Sequence, residues 1–167
     1  MSEAPRRRRS LVNQIEESAC SQPEQIEEVV GPDPANISED RLIPSGVTIL
    51  NCACSDNPFG AFAFGSINTI PGKSASGKTE LMLTMLACCA IDKKFDDYDL
   101  ILDDAEQTMS FNLEYLFPPL VGRLKSPRFK NDCLKHSVTI EDFEASLIML
   151  LEKSKNPFIY VLDSLDS

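Results

Sequence analysis

The chain has 167 residues, a length typical of one domain and too short for two domains with cores of ordinary size. Its 43% hydrophobic and 25% charged residues are close to the averages for globular proteins, which excludes collagen-like and wholly disordered chains. Sixteen basic against 26 acidic residues give a net charge of -10. A broadly basic surface for wrapping nucleic acid is therefore excluded, although a local loop can still meet nucleic acid.

The N-terminal region lacks the pattern of a targeting signal. The arginines at positions 6–9 are followed by polar residues rather than by an apolar segment of signal-peptide length. The longest apolar run, residues 81–91, is far shorter than the ~20 residues that a membrane-spanning helix needs. We therefore expect a cytoplasmic protein without a membrane segment, whose six cysteines are reduced.

Composition divides the chain near residue 41. Residues 1–40 are acidic and are interrupted by Pro23, Pro32 and Pro34, which predicts a disordered N-terminal tail. We interpret the run of arginines within this tail as a solvated charge run, because several glutamates follow it. Residues 41–167 are richer in apolar residues and form the expected folded domain.

Strand and helix patterns alternate along this domain. Short apolar runs predict buried strands at residues 66–70, 98–102 and 158–162. Residues 79–91 are apolar almost all round, as in a helix that is covered on every side. The alternation predicts an α/β fold with a mainly parallel sheet flanked by helices.

A second helix is predicted to begin after Thr139. This residue and Asp142 resemble a capping box, and the helix runs to about Ser154. Its apolar residues recur on one face, at Ile140, Phe143, Leu147 and Leu151. Upstream, residues 118–137 are interpreted as an exposed basic connection, with lysines and arginines among prolines.

The most specific motif is G-x-x-x-x-G-K-T, placed between a predicted strand and a predicted helix. It comprises Gly72, Lys73, Ser74, Ala75, Ser76, Gly77, Lys78 and Thr79. Such a loop turns its backbone N–H groups toward phosphate oxygens at the start of a helix. Lys78 adds a positive charge for the β- and γ-phosphates, and the Thr79 hydroxyl can bind Mg²⁺. The motif predicts nucleotide binding.

Carboxylates follow two other predicted strands. Asp163 ends an apolar strand in the Walker B arrangement and is the expected acid on the metal side of the site. The strand at 98–102 runs into Asp103, Asp104 and Glu106. We expect one of these three acids to face the site, but the spacing alone does not choose among them.

These segments together resemble the RecA-like recombinase ATPases, most closely the versions found in bacteriophages and prophages. The resemblance covers residues 39–167 and includes the phosphate loop, the Asp-Ala-Glu run at 104–106, and FIYVLDSLD at 158–166. It implies a P-loop core that binds ATP with Mg²⁺ and acts in DNA recombination and repair. In the complete family member, ATP hydrolysis is coupled to single-stranded DNA binding. By resemblance, Glu106 acts on the attacking water, and the strand-ending Asp-Ser pair falls on Asp163 and Ser164.

The sequence also departs from that family. Asn51 stands where the family often has Asp, and the sheet strands and DNA-binding loops that follow the Walker B strand in the family do not follow it here. We therefore expect a core that is incomplete at its C-terminus, with self-association or a completing polypeptide.

Two other functions stay open at this point. One is a P-loop kinase of small molecules, and the other is a non-catalytic module that docks on and regulates a full-length ATPase. A metal site built from Cys52, Cys54, Cys88, Cys89, Cys133 and His136 is disfavoured, because the chain lacks paired C-x-x-C halves. A Ser-His-Asp hydrolase is set aside because no nucleophile elbow accompanies the single histidine.

Overall fold

A computed structural model describes residues 37–107, 109, 112–127 and 135–164. The predicted tail at residues 1–40, with its arginine run, lies almost wholly outside these residues. Four helices are described: α1 (Thr48–Ser55), α2 (Lys78–Ile91), α3 (Leu113–Leu116) and α4 (Ile140–Lys153). The strands are β1 (Leu42–Ile43), β2 (Phe62–Ala63), β3 (Asp99–Asp104), β4 (Leu124–Lys125) and β5 (Phe158–Asp163). Short 3-10 turns lie at Glu39–Arg41, Lys93–Phe95 and Pro118–Leu120.

The fold is α/β, with a three-stranded parallel sheet in the order β4-β3-β5. β1 and β2 form a separate antiparallel pair. Both long strands of the parallel sheet were predicted, and each extends by one or two residues past its predicted end. These extra residues are the acids Asp103, Asp104 and Asp163, so the carboxylates belong to the strand ends themselves.

The register of β3 with β5 separates the two faces of the sheet. Leu100 pairs with Ile159 and Leu102 with Val161, and these four side chains join the core packed against α2. Asp104 pairs with Asp163 one step further along the same face. The alternate positions, including Asp103 and Tyr160, lie on the opposite face, which α4 covers through the rings of Phe143 and Tyr160 at 5.7 Å.

Helix α2 is present as predicted and is covered along most of its length, although Glu80 and Ile91 near its ends are exposed. Every residue at positions 81–90 is buried or half-buried, and Leu83, Leu86 and Cys89 are fully buried. Gly46 makes part of this covering possible, because a Cβ at this position would lie 2.5 Å from Thr84 Cγ2. Its φ of +81° is a left-handed conformation that suits glycine.

Helix α4 is present as predicted, but its predicted apolar face is only partly buried: Phe143 and Leu147 are half-buried. The Thr139 hydroxyl accepts a hydrogen bond from the Asp142 N–H at 3.2 Å, as the capping pattern indicates. However, Ile140 and Leu151 are 74% and 67% exposed, and the fully buried residue of the helix is Ser146. The physical reason is that the sheet face opposite carries polar groups, so a small hydrogen-bonding side chain packs closest to it.

The predicted strand at residues 66–70 is wrong. The structure places these residues outside regular secondary structure, and Ile67 is 98% exposed. A strand needs a neighbour for its N–H and C=O groups, and within the described part of the chain no backbone hydrogen bond joins residues 66–70 to a strand. The segment before residues 72–79 therefore has no regular secondary structure, and residues 66–69 are exposed to solvent.

The interpretation of residues 118–137 as a purely exposed connection is also wrong in part. Its described half contains β4, which pairs in parallel with β3 at the edge of the sheet. Basic side chains hold it there: Arg123 donates to the Phe95 carbonyl at 2.7 Å, and Lys125 Nζ lies 2.7 Å from Asp99 Oδ1. Residues 128–134 lie outside the described residues.

None of the described helices is long and apolar enough to cross a bilayer.

Candidate functional site

The predicted phosphate loop lies directly before α2 and includes its first two residues. Helix α2 begins at Lys78, and Gly77 before it has φ +84°, a left-handed conformation that glycine adopts without steric cost. A Cβ at Gly72 would lie 2.7 Å from Ser76 Oγ, so the loop closes on itself at this point. Residues 72–77 are all exposed. The loop therefore presents backbone N–H groups at a helix N-terminus that is open to an anion.

Lys78 folds back over this loop. Its Nζ donates to the carbonyl of Gly72 at 2.9 Å and to that of Lys73 at 3.1 Å. The ammonium group is therefore held at the loop rather than extended into solvent. A phosphate in the loop would offer this cation a stronger, charge-assisted acceptor than the two neutral carbonyls.

Thr79 joins the loop to the Walker B strand. Its hydroxyl Oγ1 donates to Asp163 Oδ2 at 2.6 Å, across 84 positions of sequence. Asp163 is 8% exposed and Thr79 is half-buried. The two residues expected on the metal side of the site are thus in direct contact.

Glu106 lies beside the same strand end. The N–H of Ala105 donates to the Asp163 carbonyl at 2.8 Å, which folds the turn after β3 onto the end of β5. The Ser164 hydroxyl then donates to Glu106 Oε1 at 2.5 Å. Glu106 is exposed to solvent. The structure therefore brings Thr79, Asp163 and Glu106 to one end of the sheet, with Lys78 next to Thr79 in the chain.

The three acids at and just after the end of β3 differ in position. Asp104 lies on the sheet face toward α2 and pairs in register with Asp163. Its Oδ2 accepts a hydrogen bond from the Met109 N–H at 3.2 Å. Asp103 lies on the opposite face, fully buried, and has no place in the site. The structure thus separates acids that their spacing alone did not distinguish.

Asp103 instead accepts hydrogen bonds from three donors. Ser137 donates its N–H to Oδ1 at 2.7 Å and its hydroxyl to Oδ2, and the Tyr160 hydroxyl donates to Oδ2 at 2.6 Å. Burial raises the pKa of Tyr160 above its ordinary value, and the hydrogen bond and charge of Asp103 raise it further. The sequence did not predict these contacts: Ser137 forms part of no motif, and His136 was considered only for a disfavoured metal site and a hydrolase that was set aside.

His136 contacts the backbone at the end of β3. Its Nδ1 accepts a hydrogen bond from the Asp104 N–H at 3.0 Å, and its side chain is 34% exposed. An imidazole that accepts at Nδ1 is neutral and carries its proton on Nε2. The ring lies 3.8 Å from Asp103 Oδ1, too far for a direct hydrogen bond.

The donor set at Thr79 and Asp163 fits magnesium. Hydroxyl and carboxylate oxygens are the ligands that Mg²⁺ prefers, and it takes its other ligands from water and from substrate phosphates. No group of three His, Cys, Asp or Glu within the described ranges is arranged to hold a metal by itself. Thr79 and Asp163 would supply two oxygen ligands, and water or phosphate oxygens would have to supply the others.

Other features singled out from the sequence lie away from this site. Asn51 is buried, where its Oδ1 accepts from Ser45 and its Nδ2 donates to the Pro58 carbonyl at 2.8 Å. An Asp in its place would lose that donor, so an Asn at this position has a structural reason here.

A cavity of about 530 Å³ lies by the C-terminal end of α2. It is lined by Glu39, Asp40, Pro44, Phe59, Asp92 and Lys94.

The cysteines divide by position. Cys52 and Cys54 are exposed on α1, whereas Cys88 and Cys89 lie on α2. Burial raises the pKa of the Cys88 thiol, and it raises that of Cys89 to about 12. Cys133 of the disfavoured metal set lies outside the described residues.

Comparison with protein-family models, with curated proteins and with solved structures found no match to this chain. What the site binds must therefore be inferred from its own residues and their geometry.

Proposed function

We propose that this chain is a RecA-like P-loop core that binds ATP together with Mg²⁺. One observation carries the proposal: the Thr79 hydroxyl lies 2.6 Å from the Asp163 carboxylate, although 84 positions separate the two residues. A Gly-Ser loop that merely joined two elements would have no reason to meet a buried acid at the end of an apolar parallel strand. In P-loop NTPases, these two groups hold the magnesium that bridges the phosphates.

Each residue has a separate task in the proposed site. The N–H groups of residues 72–79 surround the phosphate oxygens, and Lys78 Nζ moves from the loop carbonyls to the β- and γ-phosphates. Thr79 and Asp163 hold the metal, directly or through water. Bound Mg²⁺ neutralises charge that develops on the phosphate oxygens.

Glu106 is the proposed group that prepares the attacking water. It is exposed at the strand end next to Asp163, so water can reach its carboxylate. A carboxylate in this place can accept a proton from a water molecule aligned with the γ-phosphate, or can orient that water. The Ser164 hydroxyl restricts the orientation of the carboxylate, because it donates to Oε1.

The recombination part of the proposal rests on the resemblance to phage and prophage recombinases. It names single-stranded DNA as the partner that stimulates hydrolysis in a complete family member. A strand from a second copy or another polypeptide has a place to pair, because β5 has a strand neighbour on one side only within the described residues. Sedimentation of the chain with and without nucleotide measures self-association.

ATP turnover in the presence and absence of single-stranded DNA tests this function. We expect Glu106→Gln to lower turnover by about 10²–10⁴-fold while nucleotide affinity stays near that of the wild type, because the amide keeps the shape but not the base. Glu152→Gln, an exposed change on α4, is the matched control and should leave turnover unchanged.

The outcomes separate the rival functions. Phosphate release without an added acceptor supports an ATPase, whereas transfer that needs a small-molecule acceptor supports a kinase. Nucleotide binding without turnover, with or without DNA, favours the non-catalytic module. If no nucleotide binds, the proposal is wrong.

A further inference from the structure

The end of β3 has an unusual partner on one side. β4 is only two residues long and pairs with Leu100 and Ile101, so it stops before the acidic end of β3. On the other side, β5 pairs with the whole of β3. Asp104 is 7% exposed, so its N–H needs a hydrogen-bond acceptor within the protein.

His136 supplies that acceptor. Its Nδ1 lies 3.0 Å from the Asp104 nitrogen and occupies the position that a carbonyl of a longer β4 would take. The next residue, Ser137, donates twice to the fully buried Asp103 carboxylate. His136 thus holds the backbone of the last β3 residue at the edge that β4 leaves open, and Ser137 holds the Asp103 side chain on the face toward α4.

Beyond this point the chain enters the proposed site. Ala105 donates to the Asp163 carbonyl at 2.8 Å, and Glu106 accepts from Ser164. The position of the Glu106 carboxylate therefore depends on where the β3 end is held, and β5 and His136 hold it from opposite sides. A carboxylate that aligns water loses efficiency when its support allows it to shift.

We propose that His136 is a positioning residue, which holds the end of β3 through the Asp104 N–H and thereby fixes Glu106 for its reaction. This inference rests on the proposed function for its catalytic consequence. The proposed role depends on the hydrogen bond that Nδ1 accepts, not on the size or packing of the imidazole ring. It concerns turnover and not nucleotide affinity, because no hydrogen bond or ion pair joins His136 to residues 72–79 within the described residues.

Two variants separate the acceptor from the ring. His136→Leu fills part of the space but cannot accept a hydrogen bond. His136→Asn can place its amide oxygen near the position of Nδ1 and keep the bond. Amide hydrogen exchange at residues 104–106 measures how often the hydrogen bonds at the end of β3 open. Exchange of the α2 amides shows whether the whole domain has been destabilised.

We expect exchange at residues 104–106 to rise about tenfold in His136→Leu, the loss of one hydrogen bond of ordinary strength, with α2 unchanged. His136→Asn should stay within about threefold of the wild type. Turnover should fall in the same order, by about tenfold or more in the Leu variant, while the Kd for ATP changes less than about threefold.

Three results would overturn the assignment: wild-type exchange at residues 104–106 in His136→Leu, equal losses in the Leu and Asn variants, or a loss of ATP affinity that parallels the loss of turnover. The exchange experiment decides the question even if the wild-type chain hydrolyses no ATP. Failure of the proposed function and failure of the His136 assignment therefore give different results.

Discussion

The two faces of the parallel sheet are built from different chemistry. On the face toward α2, Leu100, Leu102, Ile159 and Val161 pack against a helix whose inward residues are apolar, and only the last register pair is acidic. On the face toward α4, Asp103, Tyr160, Ser137 and Ser146 place a hydrogen-bonded polar network where a second apolar layer would be expected.

This difference shows how one strand serves two purposes. Apolar packing on the α2 face fixes the distance between helix and sheet, and hence the distance between Thr79 at the start of α2 and Asp163 at the end of β5. The polar network on the α4 face is directional, so it fixes the end of β3 in one orientation. We infer that the first face supplies most of the stability and the second supplies positional precision.

The largest expected effect is on the α2 face. Leu86 is fully buried, and Leu86→Ala should lower the free energy of unfolding by about 2–5 kcal/mol through lost apolar contact and a residual cavity. Ile148→Ala on α4 is the control, since Ile148 is 47% exposed and should cost about 0.5 kcal/mol or less. Denaturant unfolding of both variants measures this, and equal losses would contradict the assignment of the main core to α2.

A smaller effect is expected from the polar face. Asp103→Ala leaves the Ser137 N–H and hydroxyl and the Tyr160 hydroxyl without their acceptor, which should cost about 1–3 kcal/mol. Asp97→Ala removes an exposed carboxylate and serves as the control in the same unfolding experiment. A loss for Asp103→Ala larger than that for Leu86→Ala would contradict the inference that the α2 face supplies most of the stability.

Alkaline pH tests the network with a still smaller effect. The folded pKa of Tyr160 is raised above its ordinary 10.0, so its contribution is fully present below pH 10.0 and is lost as pH rises above that value. Above about pH 10, wild-type stability should therefore fall more steeply with pH than that of Tyr160→Phe. Tyr115→Phe, which removes a hydroxyl from a residue 81% exposed, should keep the wild-type slope. Parallel curves for all three proteins would contradict this role of Tyr160.

The smallest perturbation is thiol labelling of the native protein. Cys52 and Cys54 are exposed and should react with a soluble alkylating reagent, whereas Cys89 is buried, with its pKa raised to about 12, and should react only when α2 opens. Peptide mapping by mass spectrometry assigns each modified residue. Labelling of Cys89 as fast as that of Cys52 would show that α2 does not cover the sheet as described.

The sequence was most informative where local pattern and residue chemistry agreed. Helix α2 begins within the loop motif, and the apolar run before Asp163 forms a parallel strand with its acid at the carboxyl end, both as predicted. Local pattern failed at residues 66–70, because an apolar run becomes a strand only when a neighbouring strand accepts its hydrogen bonds.

The other differences arise from tertiary contacts that leave no local pattern. Helical periodicity placed Ile140 and Leu151 inward, but the partner face is polar and the buried position is Ser146. β4 is too short to give an alternating pattern, and the bond from the Asp104 N–H to His136 depends on a loop returning to the sheet. The choice among Asp103, Asp104 and Glu106 likewise needed the register of β3 with β5.

We propose that the loop at residues 72–79 binds the phosphates of a nucleoside triphosphate. Titration with a fluorescent, nonhydrolysable ATP analogue in the presence of Mg²⁺ tests it most directly, comparing Lys78→Ala with Lys93→Ala, which removes an exposed lysine near the other end of α2. We predict saturable 1:1 binding to the wild type and to Lys93→Ala, and at least about tenfold weaker binding to Lys78→Ala. Absence of saturable binding to the wild type, or equal affinity in the two variants, would contradict the claim.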